Sequence, residues 1–201
     1  MTDSATWTER YAAAAMVWDT TPNQFVVEAC TNLTPGRALD LGAGEGRNAI
    51  WLAGRGWTVT AVDFASIAVG RIASHAALQS VRLDALVANA LNYHPAPESF
   101  DLALLCYLQL PVAQLRKAIS NAVSGLDGGG RLVVVAHDET NLPNGVGGPK
   151  DPDRLTNPET VAKIATELGL SVVRAEVVQR EVRTDDGLRI AMDHVVEAVR
   201  P

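Results

Sequence analysis

Two carboxylates and three glycines carry the chemistry most legible in this chain. Asp40, Gly42, Gly44 and Gly46 fall at every second position, within Ala38-Leu-Asp-Leu-Gly-Ala-Gly-Glu-Gly-Arg-Asn48. Asp63 ends the next apolar run, about 20 residues on, as expected of an acid that holds a ribose. Glycines without side chains let a chain turn sharply and let a ligand lie against bare backbone. A helix opening after them, near Gly46, points free N–H groups back at that ligand. The pattern reads as a cradle for a nucleoside-type ligand, with Asp63 on the ribose hydroxyls.

The spacing then discriminates between ligands. A dinucleotide loop requires Gly-x-Gly-x-x-Gly, with a small third residue and a pyrophosphate on the helix N-terminus. Here Arg47 stands where that third small residue belongs. Asp40, just ahead of the loop, would repel a pyrophosphate and attract an ammonium. S-adenosylmethionine carries an ammonium, a carboxylate, a ribose and an adenine, and suits the pattern better.

These residues must be held by alternating strands and helices. Tyr11-Ala-Ala-Ala-Ala-Met16 has high helix propensity, with Thr6 or Thr8 as cap, and a second helix is expected over about 23–32. The first strand is Arg37–Leu41, followed by a helix from about Arg47 to Gly54. The second strand is Thr58–Asp63, followed by a helix from about Ser66 to Gln79. The third strand covers about Leu83–Ala88 and the fourth Phe100–Cys106. A helix then runs from Pro111 to about Ser124, Asp127–Gly130 is a turn, and the fifth strand is Arg131–Ala136. The segment from Asn141 to Asn157 is irregular, and a structureless stretch of that length is usually functional. A helix from about Pro158 to Leu168, capped by Asn157, leads to strands over about Ser171–Arg180 and Leu188–Val199. These two are joined by a hairpin turn at Asp185-Asp186-Gly187.

This order predicts one α/β domain over residues 1–201, Rossmann-like and doubly wound. Its seven-stranded sheet is mostly parallel, with a C-terminal antiparallel hairpin and helices on both faces. Residues 1–34 would form a helical cap and 138–157 a loop on the substrate side. Ligands in such sheets bind at the carboxyl ends of the strands, near the switch in strand order.

Composition narrows the partners. The chain has 201 residues, 47% of them hydrophobic, and a net charge of −6. That balance argues against nucleic acid, which needs a basic face. No apolar stretch is long enough to span a bilayer, and the polar N-terminus is unlike a secretory signal. A cytoplasmic protein is expected, monomeric or weakly dimeric. Cys30 and Cys106 read as buried, reduced thiols, and no cysteine–histidine spacing suggests a metal.

At the glycine loop the sequence resembles the class I S-adenosylmethionine-dependent methyltransferases. The string Leu39–Asn48, then Trp51-Leu-Ala and Val59–Asp63, is similar to the branch containing the tellurite-resistance and thiopurine methyltransferases. Arg47-Asn48 and Trp7-x-x-Arg10-Tyr11 fit that branch too. The resemblance implies that Asp40 and the Gly42 backbone orient the methionine amine. Ala43 and Gly44 lie along the cofactor, and Asp63 accepts both ribose hydroxyls. Phe64 packs on adenine, Asn89 meets its amino group, Ala90 offers a backbone N–H to a ring nitrogen, and Leu91 borders the ring. Cys106 and Tyr107 flank the reactive methyl. Ala65 stands where the family often has a serine, so a side-chain cap on the next helix is in doubt.

Some residues read two ways. Trp7, Tyr11 and Trp18 either close over the cofactor carboxylate or pack the N-terminal helix onto the sheet. Arg47 reads as a solvated helix residue, His94 as a loop residue and His194 as a strand-face residue. His137, ahead of Asp138 and the long loop, is a candidate general base beside Tyr107, with pocket shaping as the plainer role. The implied activity is in-line methyl transfer to a small molecule through N, O, S or a chalcogen oxyanion. The alternatives are a non-catalytic binder of the same cofactor and a nicotinamide oxidoreductase.

Overall fold

A computed structural model describes residues 4–13 and 20–201. The described helices are α1 (Ser4–Ala13), α2 (Gln24–Cys30), α3 (Arg47–Gly54), α4 (Ser66–Leu78), α5 (Val112–Ser124), α6 (Asn141–Asn144) and α7 (Pro158–Glu167). The strands are β1 (Arg37–Leu41), β2 (Thr58–Asp63), β3 (Asp84–Val87), β4 (Phe100–Cys106), β5 (Leu126–His137), β6 (Ser171–Thr184) and β7 (Gly187–Val199). They form one seven-stranded sheet in the order β3-β2-β1-β4-β5-β7-β6. The first five strands pair in parallel, and β7 inserts antiparallel between β5 and β6. Strand order reverses between β1 and β4, which opens a crevice at their carboxyl ends.

The central strands are apolar on both sides because helices cover both faces. One core joins Leu39, Leu41 and Leu105 to Leu115, Ile119, Val161 and Ile164 of α5 and α7. The other joins Ala38, Val59, Leu102 and Leu104 to Phe25, Val26, Leu52 and Ile72 of α2, α3 and α4. Asn157 caps α7 as expected, accepting the Thr160 N–H at 2.8 Å. Ala65 provides no side-chain cap for α4. Asp63 Oδ1 accepts the Ala65 N–H at 2.9 Å and so fixes the residue that precedes the helix.

Three expectations change. α1 starts at Ser4, so Thr6 and Thr8 lie inside it and do not cap it, and residues 14–16 of the expected helix lie outside the described residues. Asp127–Gly130 lies inside β5, as an irregularity opposite Asp101, because Gly129 N–H and Gly130 C=O both pair with Arg200. The irregular segment also contains the single helical turn α6 and a 3-10 turn at Pro152–Arg154.

The glycine loop turns as expected and is also held by packing. Gly42, Gly44 and Gly46 all have left-handed φ, at 82°, 57° and 83°. A Cβ on Gly42 would stand 2.9 Å from Leu108 Cδ1, and one on Gly46 2.8 Å from Ile72 Cγ1. At these two positions an added side chain would meet the protein's own Leu108 and Ile72. Gly46→Ala therefore combines a left-handed backbone with overpacking, and should destabilise by about 2–4 kcal/mol. Urea unfolding would read this as a lower midpoint at unchanged slope.

Candidate functional site

A cavity of about 940 Å³ opens at the carboxyl ends of β1, β2 and β4. That volume suits a cofactor and a small second ligand. It brings together Asp40, Gly42, Ala43, Gly44, Asp63, Phe64, Asn89, Ala90, Leu91, Cys106, Tyr107 and His137, with Trp7 and Tyr11 from α1. Trp18 lies outside the described residues.

Asp40 is 1% exposed, and its Oδ2 has no hydrogen-bond partner among the described residues. Burial pushes its carboxyl up to about 7, and the nearby Asp63 adds to this while Arg47 opposes it. A buried, unpaired carboxylate oxygen is costly, and a cationic ligand group would relieve it. Asp63, also buried, accepts the Gly44 N–H through Oδ2 at 2.9 Å as well as the Ala65 N–H. It thereby welds the loop after β1 to the start of α4. Burial raises its pKa, against these backbone donors. Each oxygen keeps a lone pair for a hydroxyl donor.

Asn89 Oδ1 accepts the Leu91 N–H at 2.9 Å, so the oxygen expected to meet an adenine amino group also shapes its own turn. Cys106 is half-buried, burial pushes its thiol up to about 12, and both cysteines are free. Trp7 and Tyr11 pack with Phe64, Ala65, Ile67 and Ala68, their rings 5.8 Å apart. The N-terminal helix thus rests on the first turn of α4 rather than on the sheet, while still lining the cavity. Arg71 fixes it there, donating to Tyr11 C=O at 2.7 Å and pairing with Glu45 at 2.6 Å.

The far side of the cavity centres on Tyr107. Its backbone is left-handed, with φ 57°, a strained state for a tyrosine. Its hydroxyl donates to Asp193 Oδ2 at 2.7 Å and accepts from Arg180 Nε at 3.0 Å and Asn23 Nδ2 at 3.2 Å. Burial and the facing Asp193 drive the phenol far above its ordinary value, so it holds its proton. The ring lies 4.8 Å from that of His137. His137 Nδ1 approaches Asp193 Oδ1 to 2.8 Å, which leaves Nε2 on the other side of the imidazole. Gly148, from the long loop, packs on the imidazole so closely that a Cβ there would stand 2.8 Å from His137 Cδ2. The loop is anchored by Asn141, whose Oδ1 accepts the Met192 N–H at 2.8 Å and whose Nδ2 donates to Gly147 C=O at 3.1 Å.

Sequence reasoning missed Asp193, Arg180 and Asn23. Asp193 is fully buried in β7, beside His194. Burial raises its pKa, but the facing His137, Arg180 and Tyr107 outweigh it and hold the carboxyl below its usual range. Only the β5–β7 register, which sets Asp193 opposite His137, could have revealed the pair. Arg47 is also placed differently from expectation. Its guanidinium lies 5.7 Å from the Tyr107 ring centroid and lines the cavity. His194 is a buried strand residue, 3.4 Å from Thr156 Oγ1, as expected of a structural histidine.

Residues 38–130 match a family described as a methyltransferase domain. The match runs from β1 into β5 and so includes the glycine loop, Asp63 and Tyr107. Among solved structures, the chain is similar to the N-methyltransferase NodS from Bradyrhizobium japonicum in complex with S-adenosyl-L-homocysteine. The identity is 23%, the TM-score 0.73, and the alignment covers 98% of this chain and 97% of that one. It is also similar to TehB from Haemophilus influenzae, at 16% identity and TM-score 0.73, over 97% of this chain and 66% of that one. These likenesses establish a shared Rossmann-like methyltransferase fold. A curated relative, hemagglutinin 1 from Eikenella corrodens, is 31% identical over 129 residues. They make up 62% of this chain, and the match spans 42% of that relative's length. No helix among the described residues is long and apolar enough to cross a membrane.

Proposed function

We propose that the chain is an S-adenosylmethionine-dependent methyltransferase acting on a small molecule. The observation that carries the reading is the buried, unpartnered Oδ2 of Asp40 on the wall of the cavity. It suits the ammonium of a methionine moiety and is wrong for a pyrophosphate. Asp63 would take the ribose hydroxyls, at roughly 1.5–3 kcal/mol for each charge-assisted bond. Phe64, Ala90 and Leu91 would bound the adenine. When bound, the cofactor supplies an electrophilic methyl group. The chain's own part is to hold the acceptor in line, exclude water and receive its proton.

His137 Nε2 would take that proton, with Asp193 Oδ1 2.8 Å from Nδ1 to stabilise the charged ring. Tyr107 contributes its ring as a wall and its hydroxyl as a tie between Asn23 and Asp193. The net charge of −6 favours a small acceptor over a nucleic acid. Within the family, the Arg47-Asn48 pair supports the tellurite-resistance and thiopurine branch.

Thermal-shift titration tests the cofactor. S-adenosylmethionine at about 100 times its Kd should stabilise by roughly 2.7 kcal/mol, and NAD should not. Asp63→Ala should weaken S-adenosylhomocysteine binding at least about 100-fold, since it removes two charge-assisted bonds. A shift with NAD alone, or unchanged affinity in Asp63→Ala, would overturn the assignment. Release of S-adenosylhomocysteine over a panel of thiols, phenols, heterocycles and oxyanions separates an enzyme from a binding module.

A further inference from the structure

Two guanidinium groups converge on Tyr107. Arg47 lies 5.7 Å and Arg180 5.6 Å from its ring centroid, and both line the cavity. They come from opposite ends of the chain, Arg47 from the first turn of α3 and Arg180 from β6. Arg180 is held through Nε alone, 2.7 Å from Asp193 Oδ2 and 3.0 Å from the Tyr107 hydroxyl. Its two terminal nitrogens have no hydrogen-bond partner among the described residues. Arg47 forms no ion pair among the described residues, and its charge opposes the rise in the Asp40 pKa.

The cavity is therefore polarised. The Asp40 and Asp63 end is anionic, matching an ammonium and a diol. The Tyr107 end offers guanidinium donors beside His137. A half-buried guanidinium whose paired N–H groups face a cavity is a receptor for a two-oxygen anion, which it binds in a fork. Asp193 meets the charge of Arg180 at Nε only, and such an anion would give the two terminal nitrogens their acceptors.

We infer that the methyl acceptor is itself an acid: a small molecule with a carboxylate or equivalent oxyanion held by Arg47 and Arg180 at the Tyr107 ring. Its nucleophilic atom then lies toward His137. This rests on the methyltransferase reading and adds the substrate class to it. The competing role for Arg47 is the cofactor's own carboxylate.

Matched neutral and anionic probes decide the matter. Phenylacetate and phenylacetamide would be titrated into the full chain at low salt, with and without saturating S-adenosylhomocysteine. The acid should bind at least tenfold more tightly than the amide. At pH 9, where Asp40 is ionised, Arg47→Met should cut that preference at least about threefold, Arg180 remaining, while leaving the S-adenosylhomocysteine Kd within twofold, and Arg47→Lys should keep more of it. Equal binding of acid and amide would overturn the inference. So would a tenfold loss of S-adenosylhomocysteine affinity in Arg47→Met with the acid preference intact, which assigns Arg47 to the cofactor. Failure of S-adenosylhomocysteine to bind the wild-type chain would refute the cofactor reading alone, because the acid–amide comparison on the ligand-free protein still decides the clamp.

Discussion

Asp40→Asn is expected to weaken S-adenosylhomocysteine binding about 100-fold while making the ligand-free protein more stable at pH 8. Both effects come from one buried group. In the free protein the carboxyl is pushed up to about 7 from 3.8, first by burial and then by Asp63. A folded-state pKa above the unfolded one stabilises the protein fully below the unfolded value and loses that contribution as pH rises through the folded value. Above pH 7 the wild type therefore carries an ionisation penalty of up to about 4 kcal/mol. The asparagine carries none. It inherits the unpartnered position, however, so a net gain of about 1–3 kcal/mol is expected. The difference in urea midpoint should be present at pH 8 and should close as pH falls from 7 toward 4.

Binding runs the other way. The ammonium needs the carboxylate, so wild-type affinity should fall about tenfold per pH unit below 7. Asp40→Asn should show a flat profile there. Losing one partner of a buried charge pair costs about 3 kcal/mol, which is the 100-fold. Calorimetry between pH 5.5 and 8 checks both slopes. A variant that binds as tightly as the wild type would remove Asp40 from the site.

This half of the candidate site was legible in the sequence because its determinants are local. Asp40, the three glycines and Asp63 sit on one strand–loop–helix–strand unit, where spacing in the chain is spacing in space. The hairpin and the Asn157 cap were legible for the same reason. The start of β5 was not, since Asp127–Gly130 reads as a turn until Arg200 pairs with it from the end of the chain. The acceptor side was the least legible. Tyr107, His137, Arg180 and Asp193 lie on four strands or strand ends, and only the insertion of β7 between β5 and β6 brings them together. Arg47 is an exposed helix residue by pattern, and only its proximity to the Tyr107 ring shows otherwise.

His137→Gln is expected to lower kcat by about 10²–10⁴ for acceptors that must lose a proton, and much less for those already ionised. The glutamine keeps bulk and polarity but cannot take a proton. Asp193→Asn should follow it at a smaller loss of about 10–10³, because the carboxylate touches the proton transfer only through the ring. Oδ1 meets His137 Nδ1 at 2.8 Å, and Oδ2 takes Arg180 Nε and the Tyr107 hydroxyl, each at 2.7 Å. A neutral amide cannot serve all three donors, so Arg180 would be left half-buried without a counter-charge, at a cost of about 3–5 kcal/mol. Melting curves must therefore accompany the rates. His137→Gln leaves the Arg180–Asp193–Tyr107 cluster in place and isolates the chemistry. The decisive readout is the dependence on acceptor acidity. If His137 receives the proton, the wild-type advantage over His137→Gln should shrink steadily as the acceptor's pKa drops below the working pH. A loss of equal size for every acceptor would mean that His137, wedged between Tyr107 and Gly148, shapes the pocket and moves no proton.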